Sequence, residues 1–178
     1  MSLSPDRFLI VISGLPGVGK TAVAATVAAR IGGVHLSVDP VEDAMLNCGL
    51  PSGWTTGVAA YEAVRTVAEQ NMSLSHPVVV DAVNDSEAAR ETWRNAADHD
   101  VACLKLVHLT CGDPVEHRRR LEGRQRGFAQ LPEPTWQKVL DRNSEYPPWT
   151  DPHLEVDTGM RSVEEIADHI CAWSGACS

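Results

Sequence analysis

The chain has 178 residues, 43% of them hydrophobic and 22% charged, enough for one domain spanning 1–178 with a sizeable core and too few for a second domain of any size. A formal net charge of -9 speaks against a broad nucleic-acid footprint, which needs a basic face. Cys48, Cys103, Cys111, Cys171 and Cys177 are odd in number and scattered, without a C-x-x-C pair, so neither a zinc site nor a disulfide framework is indicated. Residues 1 to 7, with Pro5 and Asp6, lead straight into an apolar run, and no run approaches a membrane span; a soluble, cytoplasmic protein without a signal peptide is expected.

In chain order, Phe8-Leu9-Ile10-Val11-Ile12 reads as a buried strand, and Thr21 to Ile31 as a helix. Between them, Gly14-Leu15-Pro16-Gly17-Val18-Gly19-Lys20-Thr21 fits the spacing G-x-x-x-x-G-K-[ST] at every fixed position. Glycines at these places allow a tight turn that points several backbone N–H groups at one spot, and the positive end of the following helix makes that spot a seat for phosphate. Lys20 is then expected to reach the outer phosphates and Thr21 to hold magnesium through its hydroxyl. The expected ligands are ATP and Mg2+.

Val34 to Val38 reads as a second strand, stopping at Asp39-Pro40. Asp39 therefore lies at the carboxyl end of a strand, on the edge where open parallel sheets hold their ligands. A capping role for Asp39, with Glu42 as its partner, is the competing reading. Asn47 to Gly57 reads as a loop containing Trp54, which could floor a ligand pocket or anchor the loop. Val58 to Met72 has helical spacing, and Val78-Val79-Val80-Asp81 has the form of a central strand ending in an acid. That position makes Asp81 the candidate carboxylate for magnesium. Asn84 follows, then Ser86 or Asp85 as the cap of a helix to about Asp98, and a fourth strand from Cys103 to Leu109.

Asp113-Pro114 starts another helix, and Arg118, Arg119, Arg120, Arg124 and Arg126 fall within nine residues of an otherwise acidic chain. With His117, Arg120 and Arg124 on one helical face, the segment at about 113–130 is expected to close as a lid over the phosphates. Some of these arginines are expected to remain solvent-facing, paired with Glu116 and Glu122. Helices near 135–145 and from Ser162, the stiff stretch Tyr146 to Pro152 and a fifth strand at 154–158 complete the chain, and the loop from Thr158 to Arg161 is a candidate neighbour of the adenine.

The alternation of strands and helices predicts an α/β protein, a three-layer α/β/α sandwich on a five-stranded parallel sheet. Gly14 to Thr21, Asp39, Val78 to Asn84 and the arginine-rich segment together resemble the small P-loop kinases related to chloramphenicol phosphotransferase, zeta toxins and the polynucleotide kinase domain. The resemblance covers nearly the whole chain. It implies a P-loop NTPase fold of the nucleoside-kinase kind, with Asp39 as base toward an acceptor hydroxyl and with lid roles for Arg120 and Arg124, then Arg126. Related kinases often read D-x-T-N after the third strand; Val83 stands in place of the threonine, while Asn84 remains as a candidate substrate contact. The function expected is ATP-dependent transfer of the γ-phosphoryl group to a hydroxyl of a small molecule. A kinase of nucleic-acid 5′ ends or of a nucleotide sugar, and a P-loop regulatory ATPase, are the alternatives. Between Asp39 and Asn71 the sequence supplies Asp39, Glu42 and Asp43 but one cation, Arg65. A neutral or cationic acceptor, such as an antibiotic, sugar or amino alcohol, held partly by Trp54, is therefore expected.

Overall fold

The computed structural model describes residues 7–100 and 102–175; Pro5, Asp6 and Cys177 lie outside them. Strands β1 (Phe8–Ser13), β2 (Val34–Ser37), β3 (Val78–Asp81), β4 (Cys103–Thr110) and β5 (His153–Asp157) form one parallel sheet in the order β2-β3-β1-β4-β5. Helices α1 (Lys20–Ile31), α2 (Val38–Asn47), α3 (Trp54–Ser73), α4 (Glu87–Asp100), α5 (Pro114–Gly123), α6 (Trp136–Glu145) and α7 (Val163–Ser174) connect and cover it. This is the three-layer sandwich that the alternation predicts.

Successive side chains of the central strand serve opposite layers. Ile10 and Ile12 pack with α1 and α7 through Val23, Val27, Ile166 and Ile170. Leu9 and Val11 pack with α3 and α4 through Ala60, Val64 and Trp93. Small residues on α1, including the fully buried Ala24, let that helix lie close to the sheet. Ser162 and Glu165 close a reciprocal capping box at the start of α7. Cys48, Cys103 and Cys111 carry unbridged thiols. Among the described residues no helix is long and apolar enough to cross a membrane.

Three boundary differences from the sequence expectation bear on the site. Strand β2 ends at Ser37, which is extended and occupies the N-cap position of α2, so Asp39 sits in the first helical turn and is not the cap. Pro40 is tolerated there because first-turn N–H groups have no intrahelical partner. Trp54 is the first residue of α3 and is not in a loop. Helix α5 stops at Gly123, and Arg124 is extended (φ -76°, ψ 145°), so the predicted face shared by His117, Arg120 and Arg124 is broken. Chain direction, and not helical spacing, decides where Arg124 points.

Candidate active site

The turn from β1 into α1 is closed by packing as well as by glycine. A Cβ at Gly14 (φ +144°) would lie 2.4 Å from the Leu109 carbonyl oxygen, and one at Gly17 (φ +92°) would meet Leu121 and His117 of α5 at 3.1–3.2 Å. Buried His117 donates from Nε2 to the Pro16 carbonyl at 2.8 Å and meets Trp136 edge-on. A carbonyl only accepts, so Nε2 carries the proton; burial first, then nearby Lys20, Arg120 and Arg124, hold this imidazole below its usual pKa. The arginine-rich segment is thereby tied to Pro16 in the middle of the phosphate loop. His117 was read only as a helical neighbour of arginines, and no spacing signal marks its contact with Pro16.

Lys20 is the first residue of α1, and its ammonium donates to the Leu15 carbonyl at 3.1 Å. Burial pushes its pKa down to about 8, against the opposing pull of Asp39 and Asp81. Beside it, Thr21 Oγ1 donates to Asp81 Oδ2 at 2.9 Å, Ser37 donates to the same oxygen at 3.1 Å, and His35 Nε2 lies 2.6 Å from Oδ1. The sheet order explains the meeting: Asp81 pairs in register with Ile12 on one side and Ser37 on the other. A hydroxyl and a carboxylate oxygen so placed are hard donors that fit Mg2+. Ser37 and His35 as supports of Asp81 were not foreseen, since they come from a strand whose register the sequence does not state.

The arginines between 118 and 126 separate into distinct roles. Arg118 and Arg119 are exposed and pair with Glu122 and Glu116. Arg120 binds Glu116 at 2.6 Å and both the hydroxyl (3.2 Å) and carbonyl (3.1 Å) oxygens of Thr158. Its Nε is thus held on its own helix and both Nη groups at the β5–α7 loop. Arg124 Nη2 lies 2.7 Å from Glu133 without hydrogen-bond alignment, and its buried Nε has no partner among the described residues. Burial, then Arg126, pull the Arg124 pKa down. Arg126 binds Glu133 through Nε and the Asp39 carboxylate through Nη1, and its guanidinium stacks over Phe128.

The segment after α5 is also pinned from below. The Asp43 carboxylate accepts the backbone N–H groups of Ala129, Gln130 and Leu131 at 3.1, 2.8 and 2.7 Å. These bonds hold its pKa below the usual carboxylate range, the Leu131 bond most. Asp43 follows Asp39 by one helical turn, and that i, i+4 spacing is the signal by which it could have been singled out.

Two expectations about the acceptor are corrected. Asn84 is fully buried; its amide donates to Ser13 at 2.7 Å and accepts from Trp93 Nε1 at 2.8 Å. It braces the core, since both ends of the amide are occupied. The charge count over residues 39–71 also fails, because the C-terminal half folds over the same cleft. A cavity of about 310 Å³ running from Pro16 past Asp39 is lined by Arg124, Arg126, Lys138 and Arg142 as well as Asp39, Glu42, Asp85 and Glu133. Arg65 instead pairs with Glu62 and Glu69 along α3. Burial, then Asp39, raise the Glu42 pKa. Trp54 is 74% exposed and lines an adjoining cavity of about 250 Å³ that shares Tyr61, Asp85 and Arg142 with the first.

A glycine turn leaving the central strand, a lysine opening the next helix, and an acid on the neighbouring strand bonded to the following threonine together define the P-loop nucleotide-binding class. The chain belongs to the AAA domain family, whose family model matches residues 9–145. No curated protein matches it significantly. Among solved structures it is similar to a gluconokinase from Sinorhizobium meliloti 1021 (20% identity, TM-score 0.67, 97% of this chain and 94% of that one). It is also similar to the Mycobacterium tuberculosis APS kinase CysC in complex with AMPPNP and APS (18%, 0.70, 95% and 98%), and to the Deinococcus radiodurans tunicamycin resistance protein (19%, 0.65, 95% and 96%). At these identities the likeness is one of fold. It carries the P-loop kinase architecture without singling out the chloramphenicol phosphotransferase, zeta toxin and polynucleotide kinase group.

Proposed function

We propose that this chain, as a single kinase domain, moves the γ-phosphoryl group of ATP to a hydroxyl of a small molecule. The observation that carries this reading is the cavity that runs from Pro16 of the phosphate loop to the Asp39 carboxylate, with Arg124 and Arg126 on its wall. A carboxylate there can accept the proton of an acceptor hydroxyl, and guanidinium groups can meet the charge that develops on the transferred group. Gly14 to Thr21 cradle the nucleotide, with Lys20 beside its outer phosphates. Thr21 and Asp81 would hold Mg2+, which supplies charge neutralisation on the phosphates when bound.

The chain's own residues do the rest. Lys20 and Arg124 orient and stabilise the anionic group, Arg126 releases Asp39 when phosphates draw its guanidinium away, and the segment held by Asp43 keeps water out. The Arg120 contact with Thr158 supports a part for that arginine at the base end of the nucleotide. The mixed charge of the cavity fits a polar, hydroxyl-rich acceptor such as a sugar or an antibiotic, with Trp54 flanking its outer end.

A screen of sugars, antibiotics, amino alcohols and nucleotide sugars, followed by ATP consumption and product mass, tests the proposal. One acceptor should gain a single phosphoryl group. ATP hydrolysis unchanged by every acceptor class, 5′-hydroxyl oligonucleotides included, would move the reading to a regulatory ATPase.

A further inference from the structure

A further cavity is not taken up by the proposed reaction. It measures about 620 Å³ and lies along β4 and β5 beneath the Tyr146–Trp149 stretch. On its sheet side His108, His153 and Glu155 present ligand atoms that all lie within 4.8 Å of one another. Parallel pairing brings them together: His108 is the register partner of Glu155, and His153, two residues earlier on β5, shares its face.

The histidines are prepared for ligation. His153 Nδ1 lies 2.9 Å from the Asp151 carbonyl oxygen, which can only accept; Nδ1 therefore holds the proton and Nε2 keeps its lone pair. The His108 ring stacks on Tyr146 at 5.3 Å and leans on Trp149 at 5.8 Å, which limits its rotation. Burial first, with the charge of Arg90, favours its neutral form, against the pull of Glu155. Arg90 does not compete for Glu155, because its three donor nitrogens bond the carbonyls of Asn84, Pro148 and Pro147.

We propose that His108, His153 and Glu155 bind a divalent transition-metal ion, Zn2+ by donor preference, at a site separate from the oxygen ligands Thr21 and Asp81. Two imidazole nitrogens and a carboxylate suit Zn2+ or Co2+ and do not suit Mg2+. Metal–ligand lengths of about 2.1 Å require donors about 3.4 Å apart in a tetrahedron; rotation of the exposed Glu155 side chain brings in its oxygen, and the two imidazoles close the rest by small ring movements. Three protein ligands leave a fourth position toward the cavity, with room for water or a small anionic ligand. The ion would join β4 to β5, the edge strand.

The whole chain, stripped with a chelator and dialysed, is titrated with Co2+ by visible absorption and with Zn2+ by calorimetry, in the absence of nucleotide. The expected result is one saturable equivalent, tetrahedral bands without thiolate charge transfer, and no displacement by excess Mg2+. Glu155→Gln and His153→Gln should each weaken binding tenfold or more, while Cys103→Ser leaves it unchanged. No saturable binding, a thiolate signature, or wild-type affinity in Glu155→Gln would overturn the site. Should His153→Gln lose its circular-dichroism signal, the exposed Glu155 variant decides the matter. Kinase turnover is not read, so the outcome is independent of the proposed activity.

Discussion

Arg126 donates to the carboxylate of Asp39, joining the segment after α5 to the first turn of α2 across the cleft. The contact engages one oxygen of the carboxylate that the proposed reaction would use as its base. Arg126 also holds Glu133 through Nε, and in the proposed reaction its guanidinium would exchange Asp39 for phosphate when nucleotide binds.

Asp39→Asn is accordingly expected to slow transfer by about 10²–10⁴-fold and to leave ATP affinity near that of the wild type. Single-turnover rates at saturating ATP and acceptor check this. Wild-type transfer would leave Asp39 as a latch for Arg126 only.

The Lys20 amine, pushed down to about 8 by burial, should be visible in the pH dependence of nucleotide binding. Phosphate binds the protonated amine, so affinity should be flat near pH 7 and fall by up to about tenfold per unit above pH 8. Above that pH binding must take up a proton, which calorimetry in buffers of different ionisation enthalpy detects. Lys20→Ala should abolish turnover and the proton uptake together; a variant that keeps both would place the nucleotide elsewhere.

Arg124 and Arg120 should differ, although the sequence groups them. Loss of the Arg124 donors should cost about 10²–10³ in kcat, as for an oxyanion donor, because the buried Nε has no hydrogen-bond partner among the described residues. Arg120→Ala should instead raise the KM for ATP more than it lowers kcat, since its contacts are with Thr158 and Glu116. Equal kcat losses in both variants would put Arg120 back over the phosphates.

Asp43→Asn should loosen residues 129–131, and hydrogen exchange of their amides should quicken by about tenfold or more. The pH sense follows from the lowered carboxyl pKa in the folded chain. The clamp is fully present above the ordinary Asp value of about 3.9 and is lost as pH falls through the folded value. Exchange at these amides should thus show no clamp-related change between pH 5 and 8, and unchanged exchange in the variant would deny the clamp.

Asn84→Ala should behave as a stability variant. Leaving Trp93 Nε1 and the Ser13 hydroxyl without their partner in the core costs roughly 1–3 kcal/mol, and alanine also fits poorly at φ 54°. Thermal melting should show the loss while KM for the acceptor stays unchanged.

Local pattern was sufficient for much of this protein. The phosphate loop, the Asp113 and Ser162 caps, the apolar β1 and β3 and the acid closing β3 are short-range features, each read within a few residues of its own neighbours. Their physics is backbone geometry and side-chain period, so they were legible in one dimension, as was the parallel sheet they imply.

Tertiary packing decided the remainder. The sequence between β2 and β3 suggested an acidic mouth, yet Arg124, Arg126, Lys138 and Arg142 reach it from more than 80 residues along the chain. Asn84 looked like a substrate contact because it follows a strand on the active edge, but a left-handed turn at that residue aims its amide into the core. Arg120 and Arg124 share a helical spacing that ends when α5 stops at Gly123. In each case the partner lies on another element, and charge or spacing along the chain carries no term for which elements fold against one another.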